Sequence, residues 1–309
     1  MDVGVIGVGT MGKNHVRVYS ELKQVEGLYV TDVNALAASS VASLNDAKSC
    51  SSIDELLSQV DAVSICVPTQ FHHQVAKKVL AAGVHALVEK PLCGTSAEAQ
   101  DLVRTIPKHL TVGVGHIERF NPIVEEIRRM IRKPLYIETK RHNPASARIT
   151  GTSVVEDLMI HDIDVIFNLF SHENYVVNSA GTADACGALF TINGTTVYMS
   201  ASRKSSKKIR NIYIEEEDCT IEGNYMNQEI AVYRKPGQYN IENDRYVQEN
   251  IIEKVLVNKQ EPLKRELVTF LDCVAAKKPF PVTPAQALFD LQVSEQVTRG
   301  ISAKNEDTR

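Results

Sequence analysis

The sequence predicts two domains of different class: an α/β domain built on a parallel sheet, followed by an α+β domain with a large open, mainly antiparallel sheet. Three observations support this prediction. The first third of the chain alternates short apolar runs with segments of helical spacing, which is typical of a parallel sheet covered by helices. From Tyr175 to Tyr233, β-rich runs are separated by turn residues. The length of 309 residues suits two domains, since one domain has about 150 residues.

Five short apolar runs in the first 120 residues are predicted strands, and the segments between them are predicted helices. The predicted strands are Val3–Val8, Gly27–Asp32, Ala62–Val67, Val84–Val88 and Leu110–Val114. The predicted helices are Met11–Lys23, Ala35–Leu44, His72–Ala82 and Ser96–Thr105. The runs are apolar on both faces, which is typical of strands buried in a parallel sheet. Residues 1–120 are therefore expected to form a doubly wound parallel sheet.

Residues 121–309 are expected to form the second domain. Its first predicted elements are a helix at Pro122–Ile131, a strand at Leu135–Arg141, a loop at Asn143–Ser153 and a helix at Val155–Phe170. Asn193-Gly194 lies between two strand-like runs and is a strong hairpin signal, because both residues tolerate a positive φ. Helices at Pro262–Ala276 and Pro284–Gly300 are expected to close the chain, the last of them packing back on the first domain.

The composition excludes several classes of protein. Apolar residues make up 43% and charged residues 23% of the chain, which excludes intrinsic disorder. A net charge of −4 argues against nucleic-acid binding through a broad basic surface, and no apolar run approaches the ~20 residues of a membrane span. The six cysteines are scattered without C-x-x-C spacing, and an apolar run begins at Val3. We therefore expect a cytoplasmic protein without a metal site.

A glycine-rich motif directly follows the first predicted strand. Gly7, Gly9 and Gly12 have G-x-G-x-x-G spacing, and Thr10 and Met11 lie between the last two glycines. In such a motif the first glycine permits a tight turn, the second lets a pyrophosphate approach the backbone, and the third allows close helix–strand packing. The amides and the dipole at the helix start then stabilise the phosphates. The alternative is a glycine-rich turn that only joins a strand to a helix.

The second predicted strand ends at Asp32, twenty residues after Gly12. A carboxylate at this position accepts hydrogen bonds from the ribose hydroxyls of a dinucleotide. It repels a 2′-phosphate, and Val33 and Asn34 offer no compensating cation. The sequence therefore predicts NAD as the cofactor, with NADP less favoured.

Two further strand ends point to the same site, because ligands of open parallel sheets bind beyond the carboxyl ends of the strands. Pro68, Thr69 and His72 follow the third predicted strand, and we expect them on the nicotinamide side. The fourth strand leads into Glu89 and Lys90. An ammonium there would hydrogen-bond a substrate hydroxyl and stabilise the charge that develops as its proton leaves. The alternatives are a helix cap for His72 and an ordinary solvated lysine.

The predicted helix that begins at Val155 carries a narrow polar stripe. At 100° per residue, Asp157, His161, Asp164 and Asn168 fall within about 60° of one another. His161 is the natural general base, since an imidazole has an ordinary pKa of about 6.5, and Asp157 one turn earlier would orient the ring. Three alternatives remain open: a solvated helix face, a histidine satisfied by a helix-capping contact, and a metal site that uses His161, Asp157 and Asp164.

Together these motifs resemble the glucose–fructose oxidoreductase/inositol dehydrogenase/MocA family of nicotinamide-dependent dehydrogenases. The matching pieces are Gly7–Gly12, Val67-Pro68-Thr69 with His72, Glu89-Lys90-Pro91 and Asp157-x-x-x-His161. The resemblance covers essentially the whole chain. Within the family, Gly115–Pro122 and Leu158–Asp164 look most like the UDP-N-acetylglucosamine 3-dehydrogenase branch.

The resemblance implies that a hydride moves from a ring carbon of a sugar to NAD, with the 3-position of UDP-N-acetylglucosamine as the model substrate. In this interpretation Lys90 holds the reacting hydroxyl, His161 takes its proton, and Asp157 supports the substrate or the histidine. The peptide before Pro91 is expected to be cis, as it typically is in the family.

The resemblance also implies substrate contacts and assembly. Arg119 and Asn121 would contact the substrate between the domains, and Arg148 would pair with a nucleotide diphosphate. Because the family pairs through its second sheet, a homodimer or homotetramer is expected. The basic run Arg203–Arg210 is expected to be a solvated strand edge.

Two other functions remain open. One is an inositol or free-aldose dehydrogenase that uses the same residues. The other, of a different class, is a non-catalytic NAD-sensing protein. For a dehydrogenase of either substrate class, the expected partner is a small-molecule sugar or nucleotide sugar. Neither a nucleic acid nor a membrane is expected as a partner.

Overall fold

The computed structural model describes residues 1–144, 152–170, 174–235, 239–242, 245–248 and 251–306. The chain forms two compact units. The first contains Met1–Phe120 and Glu261–Gln292, and the second contains Asn121–Gln260 and Val293–Arg309. The segment Glu261–Gln292 thus belongs to the first unit, whereas the division expected at residue 120 assigns it to the second domain.

A six-stranded parallel sheet forms the centre of the first unit. Its strands are β1 (Asp2–Ile6), β2 (Gly27–Thr31), β3 (Lys48–Ser49), β4 (Ala62–Ile65), β5 (His85–Glu89) and β6 (Val112–Gly115). They are parallel and lie in the order β3-β2-β1-β4-β5-β6. β4 is buried at every position, and β1 and β5 at all but the first, which explains their continuous apolar runs. The predicted doubly wound parallel sheet is confirmed.

Helices cover this sheet, and further helices belong to the second unit. In the described residues they are α1 (Thr10–Ser20), α2 (Ala35–Leu44), α3 (Ile53–Leu57), α4 (His72–Ala81), α5 (Ser96–Thr105), α6 (Pro122–Met130), α7 (Ile160–Phe170), α8 (Pro262–Ala276) and α9 (Pro284–Glu306). Asn34, Ser52 and Thr95 cap α2, α3 and α5, since each side chain accepts a hydrogen bond from an amide three residues later. These local caps explain why the predicted starts of α2 and α5 agree with the structure.

α8 belongs to the first unit because it buries an apolar face there. Leu263, Leu267 and Phe270 are part of the same core as the strands of the parallel sheet. At the start of α8, Lys264 donates to the Glu21 carboxylate on the α1 side of the unit at 3.3 Å. This packing joins segments more than 240 residues apart, so local periodicity carries no signal for it.

The second unit is built on a sheet whose described strands are β7 (Tyr136–His142), β8 (Tyr175–Gly181), β9 (Ala185–Ile192), β10 (Thr195–Ser202), β11 (Ile209–Glu215), β12 (Cys219–Asn224), β13 (Glu229–Arg234) and, after a separate hairpin of β14 (Tyr239–Glu242) and β15 (Arg245–Gln248), β16 (Ile251–Val255). Their order is β16-β13-β12-β11-β7-β10-β9-β8. Neighbours are antiparallel except for β7 and β10, which are parallel. The expected open, mainly antiparallel sheet is confirmed.

The predicted hairpin between β9 and β10 is confirmed. Ile192 pairs with Thr195, and the two residues between them have positive φ angles, +48° at Asn193 and +85° at Gly194. Such a two-residue turn matches the twist of the flanking strands. The Asn-Gly pair therefore sets the register of this hairpin.

Some elements differ from their predictions. The helix expected over Val155–Phe170 begins with a π-helical turn at Val155–Met159, and α7 follows it. β3, with two residues, and α3, with five, were not predicted, because elements this short show no measurable periodicity. Within the described residues, the structure contains no helix long and apolar enough to span a membrane.

The basic run Arg203–Arg210 is not a uniformly solvated edge, as was expected. Arg203 is only 3% exposed. Its Nη2 donates to the carbonyl oxygen of Thr152 at 2.9 Å, and its Nε lies 3.7 Å from the Asp184 carboxylate. The prediction was wrong for Arg203, because the chain after β10 turns this cation inward against the segment that leads into α7.

Candidate active site

The glycine loop between β1 and α1 has a different packing requirement at each glycine. Gly7 has φ +91°, and a Cβ there would lie 2.8 Å from the Cys66 carbonyl oxygen. A Cβ on Gly12 would lie 1.9 Å from the Gly7 carbonyl oxygen, whereas a Cβ on Gly9 would meet nothing within 4 Å. Gly7 and Gly12 are therefore required by the backbone itself. Gly9 instead borders open space beside the start of α1.

Asp32 lies beside this loop, directly after β2. Its Oδ2 accepts a hydrogen bond from the Val8 amide at 2.7 Å, and its Oδ1 accepts one from the Asn34 amide at 2.8 Å. The carboxylate thereby ties the glycine loop to the end of β2. The next residue, Val33, is fully exposed.

A cleft of about 710 Å³ opens beyond the carboxyl ends of β1, β2, β4 and β5. The predicted cofactor residues that line it are Gly7, Gly9, Met11, Asp32, Pro68, Thr69, His72, Glu89 and Lys90. Thr10 and Gly12 are the two predicted cofactor residues outside this lining, and both lie in the first turn of α1. The first unit thus brings the glycine loop, the acidic strand end and the lysine to one cleft.

His72 is fixed by the backbone on both sides of its ring. It is 1% exposed, and its Nδ1 and Nε2 each lie 2.8 Å from a carbonyl oxygen, of Pro91 and Val67 respectively. Because a carbonyl oxygen only accepts, both contacts are hydrogen bonds when both ring nitrogens carry a proton. His72 therefore fastens the segment after β4 to the segment after β5. These two contacts support a structural role for His72, and its place near the nicotinamide stays a prediction.

Lys90 follows β5, and the Lys90-Pro91 peptide is cis, as the resemblance implied. The preceding residue, Glu89, is 7% exposed. Its Oε1 lies 2.9 Å from Nε2 of His15, and its Oε2 accepts a hydrogen bond from the Lys90 amide at 3.2 Å. Glu89, predicted to bind the cofactor, is thus engaged with the fold as well as with the cleft.

The pKa of Glu89 is lower than the ordinary value for a glutamate. Burial raises this pKa, but the hydrogen bond from His15 and the positive charges of His15 and Lys90 lower it by more. Glu89 is therefore an anion at neutral pH. It places a negative charge beside the residue that the sequence singles out for catalysis.

The second unit carries the other predicted catalytic residues. Asp157 lies in the π-helical turn and His161 in the first turn of α7, and both are partly buried. π-helical turns occur frequently at functional sites. Asp164, further along the stripe, is 1% exposed, so the alternative of a solvated helix face is wrong at this position.

A buried ion pair fixes α7 to the sheet next to His161. Nε and Nη2 of Arg141 on β7 donate to the two carboxylate oxygens of Asp162 at 3.1 and 2.7 Å. The two side chains are 1% and 2% exposed, and the guanidinium lies 5.3 Å from the ring centroid of Tyr225. This forked geometry fixes both the distance and the rotation of the helix relative to the strand.

The residues predicted to contact substrate differ in their burial and in their hydrogen bonds. Asn121 is 3% exposed; its Nδ2 donates to the Tyr225 carbonyl oxygen, and its Oδ1 accepts from the Ile123 amide at the start of α6. These contacts favour a structural role for Asn121. Arg119 lies partly buried in a 3₁₀ turn. Arg148 lies outside the described residues.

His15 and Arg141 were not predicted as part of the site. His15 lies on the buried face of α1 with Val16 and Tyr19, where a histidine is an unusual choice. Arg141 occupies an inward-facing position of β7, because buried and partly buried residues alternate along this strand. A titratable or charged residue in the buried register of an element is the signal that finds both.

The geometry of the first unit fits a bound dinucleotide. A Cβ on Gly9 would stand in open space, and Gly9 lines the cleft. Because α1 begins at this glycine without a side-chain cap, its first backbone amides are available to a phosphate. Asp32 at the end of β2 presents a carboxylate for ribose hydroxyls. The cleft volume of about 710 Å³ is in the range of cofactor sites.

Comparisons with known proteins agree with this geometry. A model of an oxidoreductase family with an NAD-binding Rossmann fold matches residues 1–116. The UDP-N-acetylglucosamine 3-dehydrogenase of Acidithiobacillus ferrooxidans is 33% identical over 288 residues, which are 90% of each chain. A solved structure of that enzyme has a TM-score of 0.87, with 32% identity and 98% of each chain covered.

More distant relatives match in part. The inositol 2-dehydrogenase of Corynebacterium glutamicum (strain R) is 29% identical over 53% of this chain and 52% of its own. A levoglucosan dehydrogenase structure shares the fold, with a TM-score of 0.83 at 18% identity over 98% of this chain and 97% of its own. The chain belongs to the glucose–fructose oxidoreductase/inositol dehydrogenase/MocA family of NAD-binding oxidoreductases.

Proposed function

We propose that the protein is a nucleotide-sugar dehydrogenase that oxidises a ring hydroxyl of a UDP-sugar such as UDP-N-acetylglucosamine, at its 3-position, with NAD as the acceptor. One observation carries this proposal: the similarity to the UDP-N-acetylglucosamine 3-dehydrogenase extends over 90% of the chain, whereas the similarity to the inositol 2-dehydrogenase covers 53%. A match over 90% of the chain includes most of the second unit, and we assign substrate recognition to that unit.

Each proposed catalytic residue has a distinct task. The Lys90 ammonium holds the reacting hydroxyl and stabilises the negative charge that develops on its oxygen. The His161 imidazole accepts the hydroxyl proton, and Asp157 orients the imidazole or the sugar. When bound, NAD supplies the carbon that accepts the hydride. Lys90 lies in the first unit and His161 in the second.

Cofactor preference is assigned to Asp32. Its carboxylate accepts from the adenosine ribose hydroxyls and repels a 2′-phosphate. Neither neighbour in the chain, Val33 or Asn34, is a cation. We therefore assign NAD rather than NADP as the working cofactor.

Assembly through the second sheet is part of the same proposal. Apolar side chains are exposed on its strands, Val176 on β8, Leu189 on β9 and Ile252 on β16. Covering them with a second copy of the chain removes apolar surface from water, which supports a homodimer or homotetramer. A cytoplasmic location fits the six cysteines, none of which is bonded to another.

The proposal is tested with a panel of substrates. NADH absorbance is followed with UDP-N-acetylglucosamine, other UDP-sugars, myo-inositol and free aldoses, each with NAD and with NADP. We expect turnover with a UDP-sugar and NAD. Turnover restricted to inositol or free sugars would favour the second candidate, an inositol or free-aldose dehydrogenase, which the partial match to the inositol 2-dehydrogenase supports. NAD binding without turnover on any sugar would favour an NAD-sensing protein.

A further inference from the structure

Three buried titratable side chains meet in the first unit, directly before Lys90 in the chain. His15 and Glu266 are fully buried, and Glu89 is 7% exposed. One nitrogen or oxygen atom of each lies within 4.8 Å of the others. They come from three elements, α1, β5 and α8. The proposed reaction uses none of them, so their burial calls for another explanation.

The Glu89 carboxylate is held on three sides. Nε2 of His15 lies 2.9 Å from Oε1, and the Lys90 amide donates to Oε2 at 3.2 Å. On the neighbouring strand β6, Gly115 pairs with Glu89, and a Cβ there would lie 3.2 Å from the carboxylate. The glycine leaves the room that the carboxylate occupies. Glu89 is therefore fixed against the backbone of Lys90, at the edge of the cleft that it lines.

Titratable groups on three other parts of the first unit lie close to this position. Glu266 faces the pair from α8. Cys66 follows β4. Burial is the main cause that raises the pKa of its thiol, and the negative charges of Glu89 and Glu266 raise it further. Burial also raises the pKa of Tyr19 on α1, whose hydroxyl bonds to Ser64. These thiol and phenol groups therefore stay neutral, and the charges of His15 and Lys90 lower the pKa of Glu89.

We propose that Glu89, held in place by His15, is the positioning residue of Lys90. The inference rests on the proposed function, in which Lys90 holds the reacting hydroxyl. The bond from the Lys90 amide to Glu89 fixes the start of the lysine side chain. The buried anion keeps the ammonium protonated while the hydroxyl loses its proton nearby, since an opposite charge in a site of low dielectric favours the charged form.

The test compares Glu89→Gln, which removes the charge and keeps the shape, with Glu26→Gln. The control makes the same chemical change in the same unit, at a carboxylate whose side chain is 81% exposed. Titration of Lys90 is followed by NMR in protein labelled with [13C]lysine, and its signal is assigned by its loss in Lys90→Arg. We expect the Lys90 pKa to fall in Glu89→Gln and to stay unchanged in Glu26→Gln.

Kinetics supply an independent readout. The kcat/KM of Glu89→Gln should be about tenfold to a hundredfold below that of the wild type at neutral pH, in line with the effect of a lost charge partner. The ratio of variant to wild type should fall further as pH rises, because the lysine then loses its proton earlier. A merely structural role for Glu89 would give a ratio independent of pH.

The outcomes separate this inference from the proposed function. If Lys90→Ala keeps wild-type turnover, the proposed role of Lys90 fails. If Lys90→Ala is inactive while Glu89→Gln leaves the Lys90 titration and the pH-dependent ratio unchanged, the positioning role alone is overturned. Should Glu89→Gln not fold, His15→Gln provides a second test, because it keeps the carboxylate but removes the imidazole that holds it; an unchanged kcat/KM would overturn the inference. Stoichiometric zinc in the purified protein would also overturn it, since the cluster would then hold a cation.

Discussion

The two units each place a buried carboxylate directly next to a proposed catalytic residue, but they hold it in different ways. In the first unit Glu89 precedes Lys90 and is held by an imidazole from α1, 74 residues away in the chain. In the second unit Asp162 follows His161 and is held by a guanidinium from β7, 21 residues away. An imidazole can carry or lack a positive charge, whereas a guanidinium keeps its charge.

This difference indicates what each pair does. A carboxylate that bonds the amide of its own neighbour acts, as we propose for Glu89, on the charge and position of one side chain. A forked Arg141–Asp162 pair fixes a whole helix to a sheet, because both oxygens and two nitrogens must stay in register. We therefore expect changes in the first pair to alter catalysis and changes in the second to alter stability.

The largest expected effect comes from removing the proposed base. His161→Ala should lower kcat/KM by about 10²–10⁴-fold, the usual contribution of a general base. In the wild type, kcat/KM should rise with pH through the ordinary range of an imidazole, about 6.5, and the variant should lack this rise. His73→Ala, a partly buried histidine on α4 that bonds Asp101, is the matched control. A His161→Ala enzyme that keeps both its turnover and its pH profile would separate α7 from the chemistry.

The next effect concerns stability. Arg141→Met removes the guanidinium that pairs with the buried Asp162, which should lower the free energy of unfolding by about 3–5 kcal/mol. Arg234→Met is the matched control, because Arg234 also bonds both oxygens of a carboxylate, Glu253, but at an exposed site; it should change stability little. Both are measured by denaturant unfolding followed by circular dichroism. Equal midpoints for the two variants would contradict a structural role for the buried pair.

Most of the first unit could be predicted because its signals are local. The apolar runs of β1, β4 and β5, the Asn34 and Thr95 caps and the glycine motif each depend on a few neighbouring residues. The buried register marks His15 and Arg141 as unusual, but their partners Glu89 and Asp162 could not be predicted in this way, because they lie on other elements. The same reason explains why the segment from Glu261 joins the first unit: its apolar face has the same period whichever sheet it covers.

The smallest expected effects separate two glycines of one motif. Gly12→Ala places a Cβ 1.9 Å from the Gly7 carbonyl oxygen, so the loop must shift, at a cost of about 1–3 kcal/mol in unfolding free energy. Gly9→Ala places its Cβ in open space, so stability should change by less than about 0.5 kcal/mol.

NAD affinity should respond in Gly9→Ala even though stability does not. The added methyl occupies the space through which the pyrophosphate approaches the amides of α1, and we expect Kd to rise about tenfold, or ~1.4 kcal/mol. Calorimetric titration with NAD and thermal unfolding, run on both variants, measure the two effects. If Gly9→Ala were destabilised yet bound NAD as the wild type does, the glycine would serve the fold, and the cofactor phosphates would have to lie elsewhere in the cleft.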